Sequence, residues 1–125
     1  MVETIRYVLI ADDSDDSCDM LATLLSQAEY VVRAAPDRSG ALELLKFGEP
    51  DVVIMDWFMP GLSLEEFVEQ ARSIFPEIQI ILTSAALTGE AKAQSLNLGY
   101  LKKPYDPGEL LSLIANAEKK RRERE

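Results

Sequence analysis

Short apolar runs alternate with longer amphipathic segments along the whole chain, and this rhythm limits the possible folds more than any other feature. "RYVLIA" (6–11) reads as a buried strand, after which Cys18, Leu21, Ala22, Leu25 and Ala28 recur at helical spacing. "YVVRAA" (30–35) is a second strand, more mixed in polarity and so nearer an edge, and "DRSGALELLKF" (37–47) gives a short helix. "DVVIMD" (51–56) is the third strand, followed by a helix from Leu64 to Phe75 that Pro76 stops. "IQIILTS" (78–84) is the fourth strand. Residues 89–98 predict a weak helix capped at Gly99. "YLKK" is a brief fifth strand, and "PGELLSLIANAEKKRRERE" a last helix with Leu110, Leu113, Ile114 and Ala117 on one face.

Strands that are apolar on both faces and separated by helices imply a parallel sheet covered on each side. Right-handed crossovers then favour a doubly wound α/β sheet of five strands. The 125 residues form a single domain (1–125), with 118–125 either a charged helix end or the start of a linker. A formal charge of −9 argues against direct nucleic-acid binding, which needs a net basic surface. The absence of histidine excludes a histidine-ligated zinc site and a histidine acid/base, and the single Cys18 cannot form an internal disulfide, which points to a reducing cytoplasm. No apolar run approaches the roughly 18 residues of a membrane span, and acids follow the first apolar stretch too closely for a signal peptide.

In a doubly wound sheet, ligands bind beyond the carboxyl ends of the strands, where the strand order reverses. Strand one ends in Asp12 and Asp13, strand three in Asp56, strand four in Thr83 and Ser84, and strand five in Lys102, Lys103 and Pro104; strand two ends in Ala35 and Pro36 and offers nothing. Singly, such acids are ordinary turn formers or caps. A carboxylate closing the most hydrophobic strand is costly to ionise without compensation, and clustered carboxylates raise one another's pKa unless a cation sits among them. A hard divalent ion such as Mg²⁺ is the natural partner for oxygen ligands of this kind. A carboxylate beside it can act as a nucleophile toward phosphorus, with Lys103 and the Thr83 hydroxyl stabilising the phosphoryl oxygens.

"VLIADDS", "DVVIMDWFMPG", "IILTS" and "GYLKKPY", in that order and at about these spacings, resemble the receiver domain of bacterial two-component response regulators across practically the whole chain. The resemblance implies a flavodoxin-like fold with strand order 2-1-3-4-5 and helices on both faces. It implies Asp56 as phosphoacceptor, Asp13 as a direct Mg²⁺ ligand, Asp12 acting more through water, and the Phe58 backbone carbonyl as a further ligand. Thr83 matches the switch hydroxyl, and Tyr100 the aromatic that swings inward. Lys103, rather than Lys102, is the phosphate-binding lysine because it directly precedes Pro104, and the bond between them is expected to be cis. The implied donor is a sensor histidine kinase or phosphotransfer protein, and the output a changed surface of the fourth and fifth helices with strand five, read by a downstream partner or a further output domain. Two features depart from the family pattern: Leu64 stands where a glycine is usual, and the stretch from Thr83 to Lys103 is slightly short, which predicts a short, displaced or mobile fourth helix.

Two other functions fit parts of the sequence. "DSD" at 13–15 mimics the D-x-D motif of haloacid-dehalogenase-like phosphatases, but beyond Lys103 only Asp106 and Glu109 remain as acids before the last helix. A degenerate receiver acting as a phosphorylation-independent binding module is the other. Asp15 and Asp16 read as caps of the first helix, Cys18 as core, Phe58 as a possible shield over the site, and the "KKRRERE" tail as a solvated, fraying helix end.

Overall fold

The structure, a computed structural model, describes residues 5–124. Ten elements alternate along it: β1 (Tyr7–Ala11), α1 (Asp15–Gln27), β2 (Val31–Ala35), α2 (Arg38–Leu45), β3 (Val52–Asp56), α3 (Leu64–Ile74), β4 (Ile80–Ser84), α4 (Gly89–Ser95), β5 (Gly99–Lys102) and α5 (Pro107–Glu123). The strands form one parallel sheet in the order β2-β1-β3-β4-β5. The doubly wound, flavodoxin-like arrangement expected from the sequence is what the chain adopts. Among the described residues, no helix is long and apolar enough to cross a membrane.

The period of two in the strands sorts side chains between two cores. Leu9, Ala11, Val53, Met55 and Leu82 face α2, α3 and α4, where they pack with Ala41, Leu45, Phe67, Val68 and Ala93. Val8, Ile10, Ile54 and Ile81 face the other way, against Leu21 and Leu25 of α1 and Leu110, Ile114 and Ala117 of α5. β1, β3 and β4 are buried along almost their whole length, whereas edge strand β2 is largely exposed. The strand order reverses between β1 and β3, so the carboxyl ends of these two central strands open side by side.

Helix boundaries follow local chemistry, in places not as the sequence suggested. Ser14, not Asp15 or Asp16, caps α1: its side chain accepts from the Ser17 N–H at 3.3 Å, leaving the two acids in the first turn, where the positive helix end favours them. α4 ends at Ser95 and is only seven residues long, and Gly99 belongs to β5 rather than to a cap. Asn97 takes the left-handed position at φ 57°, while Leu98 N–H reaches Ala93 O at 2.8 Å and Asn97 N–H reaches Gln94 O at 3.1 Å, a Schellman closure. Asparagine tolerates that backbone well enough to stop the helix two residues before the glycine. In the β3–α3 loop, Gly61 takes the positive φ of 90°, and Leu64 opens α3 as a buried residue behind a capping box formed by Ser63 and Glu66.

The basic tail departs furthest from the sequence reading. Arg121 and Arg122 reach Asp51, a fully buried carboxylate just before β3, at 3.0 and 3.2 Å, and Arg121 and Arg124 pair with Glu49. The second Asp51 oxygen also accepts from the Tyr7 N–H at 2.9 Å. The end of α5 is therefore tied to the amino-terminal edge of the sheet rather than simply solvated.

Candidate functional site

β1 and β3 pair in register from Val8↔Val52 to Ala11↔Met55, so the residues that follow, Asp12 and Asp13 on one strand and Asp56 on the other, emerge together. Asp12, Asp13 and Asp56 each place a carboxylate oxygen within 4.8 Å of the others. Asp12 is buried, Asp56 half-buried and Asp13 exposed, giving a graded opening to solvent. One Asp12 oxygen accepts from the Ser14 N–H at 2.9 Å, which fixes that side chain at the start of α1. From the residue just beyond β5, Lys103 Nζ lies 3.6 Å from Asp12 Oδ2 and 3.5 Å from Asp56 Oδ1. These are ion-pair separations, longer than direct hydrogen bonds, and one ammonium is shared between two acids.

Burial pushes the Asp56 carboxyl above its ordinary value; Lys103 draws it partway back, and Asp12 and Asp13 push it up again. The one ammonium shared by Asp12 and Asp56 leaves the three clustered carboxylates under-neutralised, and a further cation would offset that. The donor set is all hard oxygen with open access on the Asp13 side, which fits Mg²⁺ and does not fit a softer metal that prefers thiolate or imidazole.

The other sequence-selected residues surround this cluster. Thr83 stands opposite Asp56 in the β3–β4 register and is buried, its hydroxyl donating to Met55 O at 3.4 Å rather than to the carboxylates. Tyr100 lies inward beneath the start of α4, with its hydroxyl 3.1 Å from Ser84 O and 3.4 Å from Ala86 O. Lys103 N–H donates to Ser84 O at 2.9 Å, and the Lys103–Pro104 bond is cis. Lys102 remains exposed. Phe58, two residues beyond Asp56, turns its side chain outward at 62 % exposure and stacks on Trp57 at 4.9 Å between ring centroids. Asp15, the second acid of the D-x-D reading, is not part of the cluster. Cys18 is partly buried, its thiol directed at Asp12 O at 3.3 Å, and burial followed by the surrounding acids raises its pKa.

Two neighbours were not visible in the sequence. Tyr105 packs beside the second core, and its phenol is pushed up to about 12 by burial first and then by the charges of Asp12 and Asp56. Arg38, the first residue of α2, is only 2 % exposed and donates to the carbonyls of Leu62, Asp56 and Trp57. Neither sits at a strand end, so a search of strand ends could not find them. The only available signal for Arg38 was a charged side chain at a position where an α2 start needs none.

The response regulator receiver domain model matches residues 8–115. Among curated proteins, the phosphate regulon transcriptional regulatory protein PhoB of Pseudomonas aeruginosa is 30 % identical over 87 % of this chain and 50 % of its own length, and the Escherichia coli PhoB is 27 % identical over the same shares. The chain thus spans about half the length of the curated relatives it matches. Among solved structures, the chemotaxis response regulator CheY4 of Vibrio cholerae is 30 % identical, covering 91 % of this chain and 99 % of its own, with a TM-score of 0.81. The receiver domain of the Francisella response regulator 1452 is 28 % identical over 92 % and 98 %, with a TM-score of 0.80.

Proposed function

The chain belongs to the receiver domains of two-component response regulators, and on that premise we propose that Asp56 is its phosphoacceptor in a Mg²⁺-dependent transfer from a histidine kinase or phosphotransfer protein. The observation that carries this reading is the convergence of acids from β1 and β3 with the Lys103 ammonium from β5 on one rim.

An ionised Asp56 oxygen attacks the donor phosphorus; the new O–P bond forms as the P–N bond to the donor imidazole breaks, and the imidazole takes a proton from solvent. Bound Mg²⁺ would supply charge neutralisation between carboxylates and phosphoryl oxygens, held by Asp13, Asp56 and the Phe58 carbonyl, with Asp12 acting through water. Lys103 holds a phosphoryl oxygen, since its Nζ already lies between Asp12 and Asp56. The Thr83 hydroxyl rotates away from Met55 O toward the new phosphoryl group. Tyr100 already lies inward, so the rotated Thr83 would hold it there and fix the surface formed by α4, β5 and α5, which a downstream protein or a further output domain reads. The chain acts on no substrate other than its own Asp56, catalysing its own phosphorylation and dephosphorylation, and works in the cytoplasm.

The test is incubation with Mg²⁺ and acetyl phosphate. One phosphoryl mass is gained by the wild type and none by Asp56→Asn; steady turnover of a phosphate monoester would favour the phosphatase reading instead.

A further inference from the structure

The β3–α3 loop carries the acceptor's own carbonyl and the next residues of the site, and a single buried guanidinium grips it from below. Arg38 NH1 donates to Leu62 O at 2.9 Å, while NH2 is shared between Asp56 O at 3.1 Å and Trp57 O. All three acceptors are main-chain carbonyls, and they bracket Phe58, Met59, Pro60 and Gly61. Burying a full charge against carbonyl dipoles is expensive, and Arg38 Nε is buried without any hydrogen-bond partner. Burial lowers the Arg38 pKa, and Asp56 and then Glu65 offset that from a distance. Apolar packing would hold α2 against the loop at less cost. What apolar packing could not do is fix, with the two arms of one rigid planar fork, the direction of the Leu62 carbonyl and of the successive Asp56 and Trp57 carbonyls.

We propose that Arg38 is a positioning residue of the phosphoryl-accepting site: by clamping the carbonyls on either side of Phe58, it sets the loop path that presents the Phe58 carbonyl beside Asp56. It adds a fixed positive charge on the acceptor's own main chain, separate from the Lys103 ammonium at the rim. This role rests on the reading of the site as a Mg²⁺ and phosphoryl site, and it concerns how well the site is formed before any ligand arrives. Loss of the fork lets residues 57–61 sample other paths, so a divalent ion binds only after an ordering step that lowers its apparent affinity.

The sole tryptophan, Trp57, lies in the clamped loop and reports on it. Emission and anisotropy of Trp57 are measured without metal and then through a Mg²⁺ titration, in wild type, Arg38→Met, Arg38→Lys and the exposed-charge control Arg33→Gln. The clamp predicts reduced metal-free Trp57 anisotropy and a roughly five- to tenfold higher half-saturating Mg²⁺ concentration in Arg38→Met, measured well below its melting temperature. Arg38→Lys, with one point charge in place of the fork, shifts in the same direction by at least about threefold, and Arg33→Gln stays with the wild type. If Arg38→Met does not fold, Arg38→Lys carries the comparison alone. A folded Arg38 variant with wild-type anisotropy and half-saturation within twofold overturns the proposal. A wild type that neither responds to Mg²⁺ nor accepts a phosphoryl group overturns the functional reading instead, and the metal-free anisotropies still decide whether Arg38 holds the loop.

Discussion

The Tyr100 ring occupies the space that a side chain on Gly89 would need: a Cβ there would lie 2.5 Å from the phenolic oxygen and 2.7 Å from the nearest ring carbon. Gly89 opens α4, so the inward Tyr100 and the short fourth helix are compatible only because this residue has no side chain. Helix propensity alone would favour alanine there. Gly89→Ala is therefore expected to drive Tyr100 outward while leaving the fold intact. Nitration by tetranitromethane, followed by peptide mass analysis, should modify Tyr100 several-fold faster in the variant; equal rates would show that the ring is not held by this contact.

A second expectation concerns pH. Burial raises the Asp56 carboxyl despite the opposing pull of Lys103. The folded state then binds more protons than the unfolded chain between the ordinary carboxylate pKa and the raised one, so stability falls as pH climbs through that window. At pH 7 without Mg²⁺, the ionised Asp56 is a net burden, and Asp56→Asn should raise Tm by a few degrees. Well below the ordinary carboxylate pKa of about 3.9, where the carboxyl is protonated in both states, the gain should vanish. Calorimetry at the two pH values checks this, and a variant less stable than wild type at pH 7 contradicts it.

At the opposite end of the sheet, Asp51 is fully buried and holds Arg121, Arg122 and the Tyr7 N–H at once. Asp51→Ala leaves the Tyr7 N–H unpaired and removes one tie of the α5 end, while the Glu49 pairs with Arg121 and Arg124 remain. Because the two arginines stay about a quarter exposed and can be resolvated, the expected cost is about 2–4 kcal/mol, at or below the range for a fully buried pair. Arg121→Met, which leaves Arg122 in place, should cost about 1 kcal/mol or less. Urea unfolding distinguishes these; a loss under about 1 kcal/mol in Asp51→Ala would mean the latch contributes little.

Tyr105 offers a probe of the charge at the site. Its phenol is pushed up to about 12, by burial and then by Asp12 and Asp56. A raised phenol pKa means the folded state keeps its proton longer, so the associated stability is present below about pH 10 and is lost as pH rises toward 12. An ultraviolet titration of wild type minus Tyr105→Phe should show a midpoint near 12, moving down when Asp56→Asn removes one of the two charges. A midpoint near the ordinary value of about 10 would remove Tyr105 from the neighbourhood of the acids.

Much of this structure is legible in the residues because the signals are local or periodic. Five apolar runs separated by amphipathic segments specify a parallel sheet, and counting to the strand ends reaches Asp12, Asp13, Asp56, Thr83, Ser84, Lys102 and Lys103, while the resemblance to receiver domains singles out Thr83 and Lys103 among them. The less legible parts depend on partners far away in sequence. Arg38 reads as a surface charge until the carbonyls of residues 56, 57 and 62 are known to lie beneath it. The "KKRRERE" run reads as solvated because Asp51, about 70 residues earlier, carries no mark of its burial. Gly99 drew the cap of α4 on propensity, yet Asn97 reached the left-handed region first. The resting direction of the Thr83 hydroxyl, toward Met55 O, is a rotamer choice that no sequence pattern encodes.

One particular carboxylate, that of Asp56, is proposed to accept phosphorus. Treating the protein with Mg²⁺ and acetyl phosphate, reducing the product with borohydride and mapping it by mass spectrometry converts an acyl phosphate into a homoserine at the acceptor position. Homoserine is expected at position 56 and nowhere else, with none formed when Mg²⁺ is chelated. Homoserine at position 12, 13 or 15, or none at all in a folded and Mg²⁺-loaded protein, would contradict it.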